Sequence, residues 1–379
     1  MIKTLGHAGL HRRVAINVGA GFVPGTNAVV MGAAIAGGKL GWEMIGIRDG
    51  FEGLLHPERY PNGGLVALSP ELIENLDPAT GGILGQAPRV DPFHVRTANE
   101  DKTVEETDLS DELLKRLKEE DIDALISIVG GQGLAILHKL HRKGLHTVCI
   151  PRSIENDIAS TAVSFGFNSA LSVTIEMLNK AYQAARSSRK VAVVEVTGEQ
   201  AGWIALQAGI AVRADAVLMP EIPCDLKNLA SRLKDKISIR RPYGLVVVAE
   251  GAKFVDYPEN QDNQSSENSP ETIAAGQVAG TVATRLQKLI TTETYPLVIG
   301  DWARGGNPTA TDHQLGMAYG AGSVQVLKGG QSGVMVAFMP PEIKFVPLAD
   351  VVNKVRTVPA DSEFRRIAHS LGIYLGHRL

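Results

Sequence analysis

Short runs of β-branched and aliphatic residues recur along this chain and alternate with stretches whose apolar positions repeat at mixed spacings of three and four. The runs Val14–Val18, Glu43–Ile47, Ala124–Val129, Thr147–Ile150, Val191–Val196 and Leu245–Ala249 predict strands. The stretches Asp111–Glu120, Asn168–Ala185, Leu226–Lys236 and Glu271–Ile290 predict helices. Strands this apolar, separated by helices, predict an α/β fold with mostly parallel sheets covered on both faces.

Two polar segments interrupt the alternation. Tyr257–Ser269, YPENQDNQSSENS, predicts an exposed loop. Asn99–Asp111, NEDKTVEETDLSD, predicts a solvated connection leading into a helix capped at Ser110. No repeat period is visible, which sets solenoids and propellers aside. At 379 residues, 44% hydrophobic and 21% charged, the chain is long enough for two α/β lobes. A formal net charge of -3 argues against a nucleic-acid binder driven by phosphate neutralisation. Only Cys149 and Cys224 are present, and no charged-then-apolar leader opens the chain, so a reducing cytoplasm is expected rather than a secreted disulfide scaffold. The longest apolar runs are strand-length, so no membrane span is expected.

Candidate chemistry gathers where predicted strands end. The first strand runs into Gly19–Asn27, GAGFVPGTN, and a helix opens at Ala28; backbone amides there can approach a phosphate, helped by the helix N-terminus. A bare strand-to-helix turn is the competing reading, and the three-residue gap before the last glycine departs from the dinucleotide-binding fingerprint. A second such turn, Gly130-Gly131-Gln132-Gly133, follows the strand ending at Val129, and Pro151-Arg152-Ser153-Ile154-Glu155-Asn156-Asp157 follows the next. Ligands of open α/β sheets collect at the carboxyl ends of strands. Glu155 has the chemistry of a proton acceptor for an attacking hydroxyl, while Asp157 is equally a helix cap. Arg304, in Trp302-Ala303-Arg304-Gly305-Gly306, suits paired bonds to a phosphate, with a surface arginine as the alternative.

Taken in order, these motifs resemble the phosphofructokinase family over nearly the whole chain. Ala20–Asn27 is similar to the family's G-G-D-A-P-G-x-N turn, Gly46–Leu54 to G-I-x-x-G-F-x-G-L, and Gly81–Gly85 to its G-G-x-L-G stretch beside the phosphoryl donor. The most specific match is Val193–Leu206, VVEVTGEQAGWIAL, against V-V-E-V-M-G-R-x-A-G-W-I-A-L. Pro220–Pro223, Ala249–Ala252 and Arg304–Asp312 continue the series. The resemblance implies two Rossmann-like lobes with mostly parallel sheets. Residues 1–166 with about 312–360 would form the donor side, and 167–311 with the C-terminal helix the acceptor side. It implies phosphoryl transfer from ATP or pyrophosphate to fructose 6-phosphate or a related sugar phosphate, with magnesium. A homodimer or homotetramer whose pockets borrow basic residues from a neighbour is implied as well, with no nucleic-acid or membrane partner.

Carried over by position, Glu155 is the catalytic base, and Gly21, Gly130, Gly131, Gln132, Gly133 and Arg152 line the donor phosphates. Ser153, Asp157, Lys190, Thr197, Gly198, Glu199, Glu250, Arg304 and His313 line the acceptor. Several of these depart from the family. Gln132 replaces the metal-associated aspartate, and an amide is a poorer magnesium ligand than a carboxylate. Glu155 is one methylene longer than the family's aspartate, and Glu199 replaces a phosphate-binding arginine. Gly133 leaves room for a nucleotide, whereas Arg152 supplies the charge expected with pyrophosphate, so the donor stays open. The alternative reading is a catalytically impaired paralogue that binds sugar phosphate and regulates an active subunit. A nucleotide-binding oxidoreductase rests on the first glycine turn and Glu43 alone.

Overall fold

The computed structural model describes residues 12–79, 82–86, 91–98, 104–255 and 273–376. The chain divides into two compact units. One holds the chain up to Ile154, with Ile158–Asn168 and Asn307–Lys354; the other holds Glu155–Asp157, Ser169–Gly306 and the chain from Val355 onward. Both are α/β, as the alternating pattern implies.

Among the described residues, the first unit carries a seven-stranded sheet built from β1 (Arg13–Val18), β2 (Glu43–Ile47), β3 (Leu65–Ala67), β6 (Ala124–Val129), β7 (Thr147–Pro151), β12 (Val334–Met339) and β13 (Glu342–Pro347). Their order is β13-β12-β7-β6-β1-β2-β3, parallel throughout except for the antiparallel edges β3 and β13. A hairpin of β4 (Val95–Ala98) and β5 (Val104–Thr107) stands apart. The second unit has a parallel sheet, β11-β8-β10-β9, of β8 (Val191–Val196), β9 (Ala216–Leu218), β10 (Gly244–Ala249) and β11 (Thr294–Val298). All residues of β6, β8 and β10 are buried, as strands covered on both faces must be. Helices such as Leu226–Lys236 and Val278–Gln287 supply the covering leucines and valines.

In the first sheet the chain leaves β1 toward β2 and returns to the other side of β1 as β6, so β1 and β6 flank the point where strand order reverses. Gly19 N–H donates to the Ile128 carbonyl at 2.9 Å, tying the two strand ends together there. Such reversals leave a crevice at the carboxyl ends of the strands.

Three expectations change. The charged connection contains β5, because Glu106 stands opposite Arg96 and also meets His94 at 2.6 Å, giving the hairpin cross-strand pairs. Ser110 is not the helix cap: Leu109 holds that position without a side-chain bond, Asp108 accepts the Ser110 N–H at 2.8 Å, and the Ser110 hydroxyl receives Lys143 Nζ at 2.6 Å. The helix expected over 271–290 runs only over Val278–Gln287. Gly276, with φ of 85°, breaks its front, and buried Glu195 receives the Gly276 and Ala279 amides, the latter at 2.9 Å. The polar loop 257–269 lies outside the described residues. Among the described residues, no helix is long and apolar enough to cross a membrane.

The helices Thr26–Gly38 and Ala310–Lys328 pack backbone to backbone. A Cβ at Gly320 would lie 2.2 Å from the Val29 carbonyl oxygen, and one at Gly32 would lie 2.4 Å from that of Met317. Although Ala normally favours a helix over Gly, Gly320→Ala should destabilise the protein by about 1–3 kcal/mol, because the helices must separate. Urea denaturation measures this, and an unchanged or higher midpoint would contradict the packing argument.

Candidate functional site

In the first unit, the turn after β1 is shaped by two glycines in left-handed backbone, Gly21 with φ of 85° and Gly25 with φ of 82°. Thr26 closes it by donating its hydroxyl to the Val23 carbonyl at 2.8 Å. Asn27 is buried and spans outward: its amide donates to the Asp77 carbonyl, and its carbonyl accepts the Ile83 N–H, both at 2.9 Å. The glycine stretch around residue 83 is thereby pinned to the first turn. Of its expected residues, Gly81 lies outside the described ones.

The helix Gly131–Arg142 starts directly at the end of β6, with Gly130 as its cap residue and no side chain capping it. Its first amides have no intrahelical acceptor, which leaves them for an anion. Gln132 is exposed in that first turn. Gly133 has a packing role visible here: a Cβ would lie 2.5 Å from Val129 Cβ, so its bareness faces the strand. A helix starting this close to its own strand needs that space.

Arg152 also differs from expectation. It is buried, and its Nη2 donates to the carbonyls of Gly19, at 2.9 Å, and Ala20. The guanidinium therefore braces the first glycine turn from beneath. Ser153 donates its N–H to the Phe165 carbonyl at 3.1 Å in the same unit.

In the second unit, the loops after β8 and β10 gather acids. Glu155 Oε2 accepts the Glu199 N–H at 3.1 Å, and Glu250 Oε1 accepts the Gly198 N–H at 3.0 Å. The Thr197 hydroxyl donates to the Gly300 carbonyl at 3.3 Å, which joins this loop to the short 3-10 helix Gly300–Arg304. Burial pushes the Glu155 carboxyl up to about 7; the charges of Asp157 and Glu250 add to the rise, while the Glu199 amide and Arg304 oppose it. Glu250 is also raised, chiefly by burial, with Glu195 and Glu199 adding and the Gly198 amide and Arg304 opposing. Arg304 thus sits among the acids as their counter-charge, its Nε donating to Asp301 at 2.8 Å. Glu199 points its side chain to solvent.

The second unit therefore brings together Glu155, Asp157, Thr197, Gly198, Glu199, Glu250 and Arg304. Lys190 is not among them: it precedes β8, at the end of the strand opposite Thr197, and pairs with Glu293 at 2.5 Å. Six residues of extended strand put about 20 Å between the two ends. His313 belongs to the first unit, in the first turn of the helix Ala310–Lys328. Among the described residues, no group of three or more His, Cys, Asp or Glu is placed to hold a metal ion, and Gln132 offers only a neutral amide. The residues do not form an all-protein magnesium site. Sequence reasoning missed Arg356, which bonds the Glu155–Asp157 turn, and the use of Trp203 and Glu221 to hold the stretch around it across large sequence separations. Trp203 and Glu221 lie inside motifs read from the sequence, but no local motif marks Arg356.

Residues 13–327 match the phosphofructokinase family model. Relatives include the ATP-dependent 6-phosphofructokinase 2 of Clostridium perfringens, 33% identical over 96% of this chain and 98% of that protein. Another is the pyrophosphate–fructose 6-phosphate 1-phosphotransferase of Dictyoglomus thermophilum, 30% identical over 91% of this chain and 95% of that protein. Among solved structures, the pyrophosphate-dependent phosphofructokinase from Marinobacter aquaeolei aligns with a TM-score of 0.73 at 20% identity, over 96% of this chain and 88% of that one.

The raised Glu155 carboxyl has a stability consequence. Below the ordinary value of 4.5 both folded and unfolded chains hold the proton, so nothing is lost. As pH rises, the unfolded chain releases it first, and the cost grows until the folded carboxyl ionises at about 7, staying constant above. Glu155→Gln should therefore stabilise the protein at pH 8 by about 1–3 kcal/mol and leave it unchanged at pH 4. Melting curves at the two pH values decide it; equal shifts at both would show that the carboxyl is not perturbed.

Proposed function

The chain belongs to the phosphofructokinase family, and from that premise we propose that it transfers a phosphoryl group from ATP or pyrophosphate to the 1-hydroxyl of fructose 6-phosphate or a related sugar phosphate. It is a phosphofructokinase-like phosphotransferase. The observation that carries the finer reading is Glu155, a half-buried carboxylate oriented by a backbone N–H and raised to about 7. A base with that affinity can take a proton at neutral pH. The acceptor hydroxyl gives its proton to Glu155 as its oxygen bonds to phosphorus, and the bond from phosphorus to the donor oxygen breaks, releasing ADP or phosphate. Positioning and charge stabilisation supply the remaining acceleration.

Arg304 would pair with the acceptor's phosphate, and Glu250 with Thr197 and Gly198 would meet sugar hydroxyls. On the donor side, Gly21 and the open amides of Gly130–Gly133 would cradle phosphate, with Arg152 holding the turn rather than the anion. Magnesium would arrive on the donor's own phosphates. A homodimer or homotetramer, with Lys190 serving a neighbouring subunit's pocket, belongs to the same reading. A cytoplasmic setting agrees with this chemistry.

A second reading draws support from the charges. Glu199 adds an exposed acid beside Glu155 and Glu250, with Arg304 opposing them, and with Gln132 in place of an aspartate this disfavours holding the charge of a transferring phosphoryl group. It supports a weakly catalytic, sugar-phosphate-binding regulator of an active subunit. A coupled assay crossing ATP and pyrophosphate with several sugar phosphates, with magnesium, separates the two; no product with any pair would favour the regulator.

For the active enzyme, kcat/KM should rise with pH through about 7 as Glu155 ionises, and Glu155→Gln should cut it by about 10²–10⁴ while sparing sugar-phosphate affinity. A flat profile, or a Gln variant as fast as the parent, would remove Glu155 as base. Replacing Gln132 by Asp and Glu199 by Arg together should raise phosphotransfer more than the two single changes predict, since both act on one transferring group. Strictly additive effects in kinetic measurements would show that they do not.

A further inference from the structure

The turn carrying the proposed base is gripped by a distant stretch of chain. Asn156, at its centre, is buried in left-handed backbone with φ of 57°, a conformation that asparagine adopts more readily than most residues with a Cβ. Arg356 holds the turn at two points. Its N–H donates to the Asp157 carbonyl at 2.7 Å, and its guanidinium Nη1 donates to the Asn156 carbonyl at 3.2 Å. The guanidinium lies over the Trp203 ring, 4.1 Å from the centroid, and the Trp203 indole N–H donates to the Arg356 carbonyl at 2.8 Å. Glu221 fastens the same stretch further on, accepting the Val358 N–H at 2.8 Å and the Gly202 N–H at 2.9 Å.

These bonds form one connected path within the second unit, from the start of the helix Trp203–Ala211 through Arg356 to the peptide groups on either side of Asp157. The carboxylate of Glu155 has a separate partner, the Glu199 N–H. Arginine suits this place because its planar cation can stack on an indole and donate to a carbonyl at once, whereas the compact ammonium of lysine cannot keep both contacts.

We infer that Arg356, braced on Trp203, is a positioning residue for phosphotransfer, fixing the Glu155–Asp157 turn so that the Glu155 carboxylate meets the acceptor hydroxyl. This rests on the phosphotransfer reading above. Arg356 acts through the backbone and touches no substrate, so its loss should slow the chemical step and leave substrate affinity alone.

Two readouts on the full chain test this, kcat and KM for the sugar phosphate, and hydrogen–deuterium exchange of the segment 152–160. Arg356→Met keeps an unbranched stem over Trp203 and removes the donor. It should lower kcat by about tenfold or more with KM changed by less than about twofold, since a displacement near 1 Å can cost up to about a hundredfold. It should also speed exchange over 152–160 while the helix Leu226–Lys236 exchanges as in the parent. Trp203→Phe, which removes the indole donor, should act in the same direction, and Arg356→Lys should recover part of kcat.

An unchanged kcat overturns the inference. A raised KM at constant kcat does so too, because it would make Arg356 a substrate contact, and so does faster exchange throughout the chain, which would make it a residue of general stability. A parent that transfers no phosphoryl group from any donor defeats the phosphotransfer reading instead. The exchange measurement then decides the clamp alone, and unchanged exchange over 152–160 removes it.

Discussion

The loops that follow β8 and β10 cross at backbone distance. A Cβ at Gly251 would lie 1.8 Å from the Glu199 carbonyl oxygen, and the Gly251 N–H donates to the Gly198 carbonyl at 3.0 Å. Only glycine permits that approach. Its effect is to set two consecutive peptide groups, so that the Gly198 N–H meets Glu250 and the Glu199 N–H meets Glu155. Both carboxylates thus take their orientation from one crossing of main chain. A side chain at residue 251 would push the Glu199 carbonyl outward and cost both acids their partners together.

The same crossing concentrates negative charge. Burial raises the cost of ionising Glu155 and Glu250, and the charges of Asp157 and Glu250 add to it at Glu155, those of Glu195 and Glu199 at Glu250. The physical response of these two carboxyls is retention of protons. Near neutrality Glu155 stands between charge states, which suits a group that must receive a proton and later release it. Arg304 reduces the repulsion without cancelling it. On the reading of Glu155 as base, an arriving phosphate would meet less repulsion from protonated carboxyls, whereas proton abstraction requires an ionised Glu155, so the two demands oppose each other.

Much of this architecture was legible in the sequence. The strands β2, β6 and β8 coincide with runs of buried aliphatic residues, because a strand covered on both faces cannot hide its composition. The edge strands β3 and β13 were not read, since a partly exposed edge mixes polar and apolar residues and its pairing depends on a distant partner. The hairpin strand β5 was hidden in a charged segment for a similar reason. Glu155 and Arg304 could be picked out from turns after strands, and Glu250 from the family resemblance. The direction in which Gly133 lacks a side chain, the inward use of Arg152 and the clamp at Arg356 could not. Each depends on which neighbour the backbone faces, and Arg356 meets Asn156 across 200 residues.

The departures at residues 155 and 199 act on different properties of the site. The contact between residues 155 and 199 uses the backbone N–H of Glu199, which an arginine at that position would offer equally. The exchange of side chain at 199 therefore removes a positive charge and adds a negative one, but it leaves the orientation of the base intact. The extra methylene at Glu155 acts in the opposite sense: it leaves the charge of the base unchanged and alters its reach, and the carboxylate oxygen lies 3.1 Å from that N–H with the longer side chain in place. The acid is held, through its own carboxylate and through the turn beneath it, by groups whose identity does not depend on either substitution. On the proposed reading, what the exchange at 199 costs is stabilisation of phosphate charge, which a donor's metal or a neighbouring subunit's cation would restore, while Glu155 keeps its orientation.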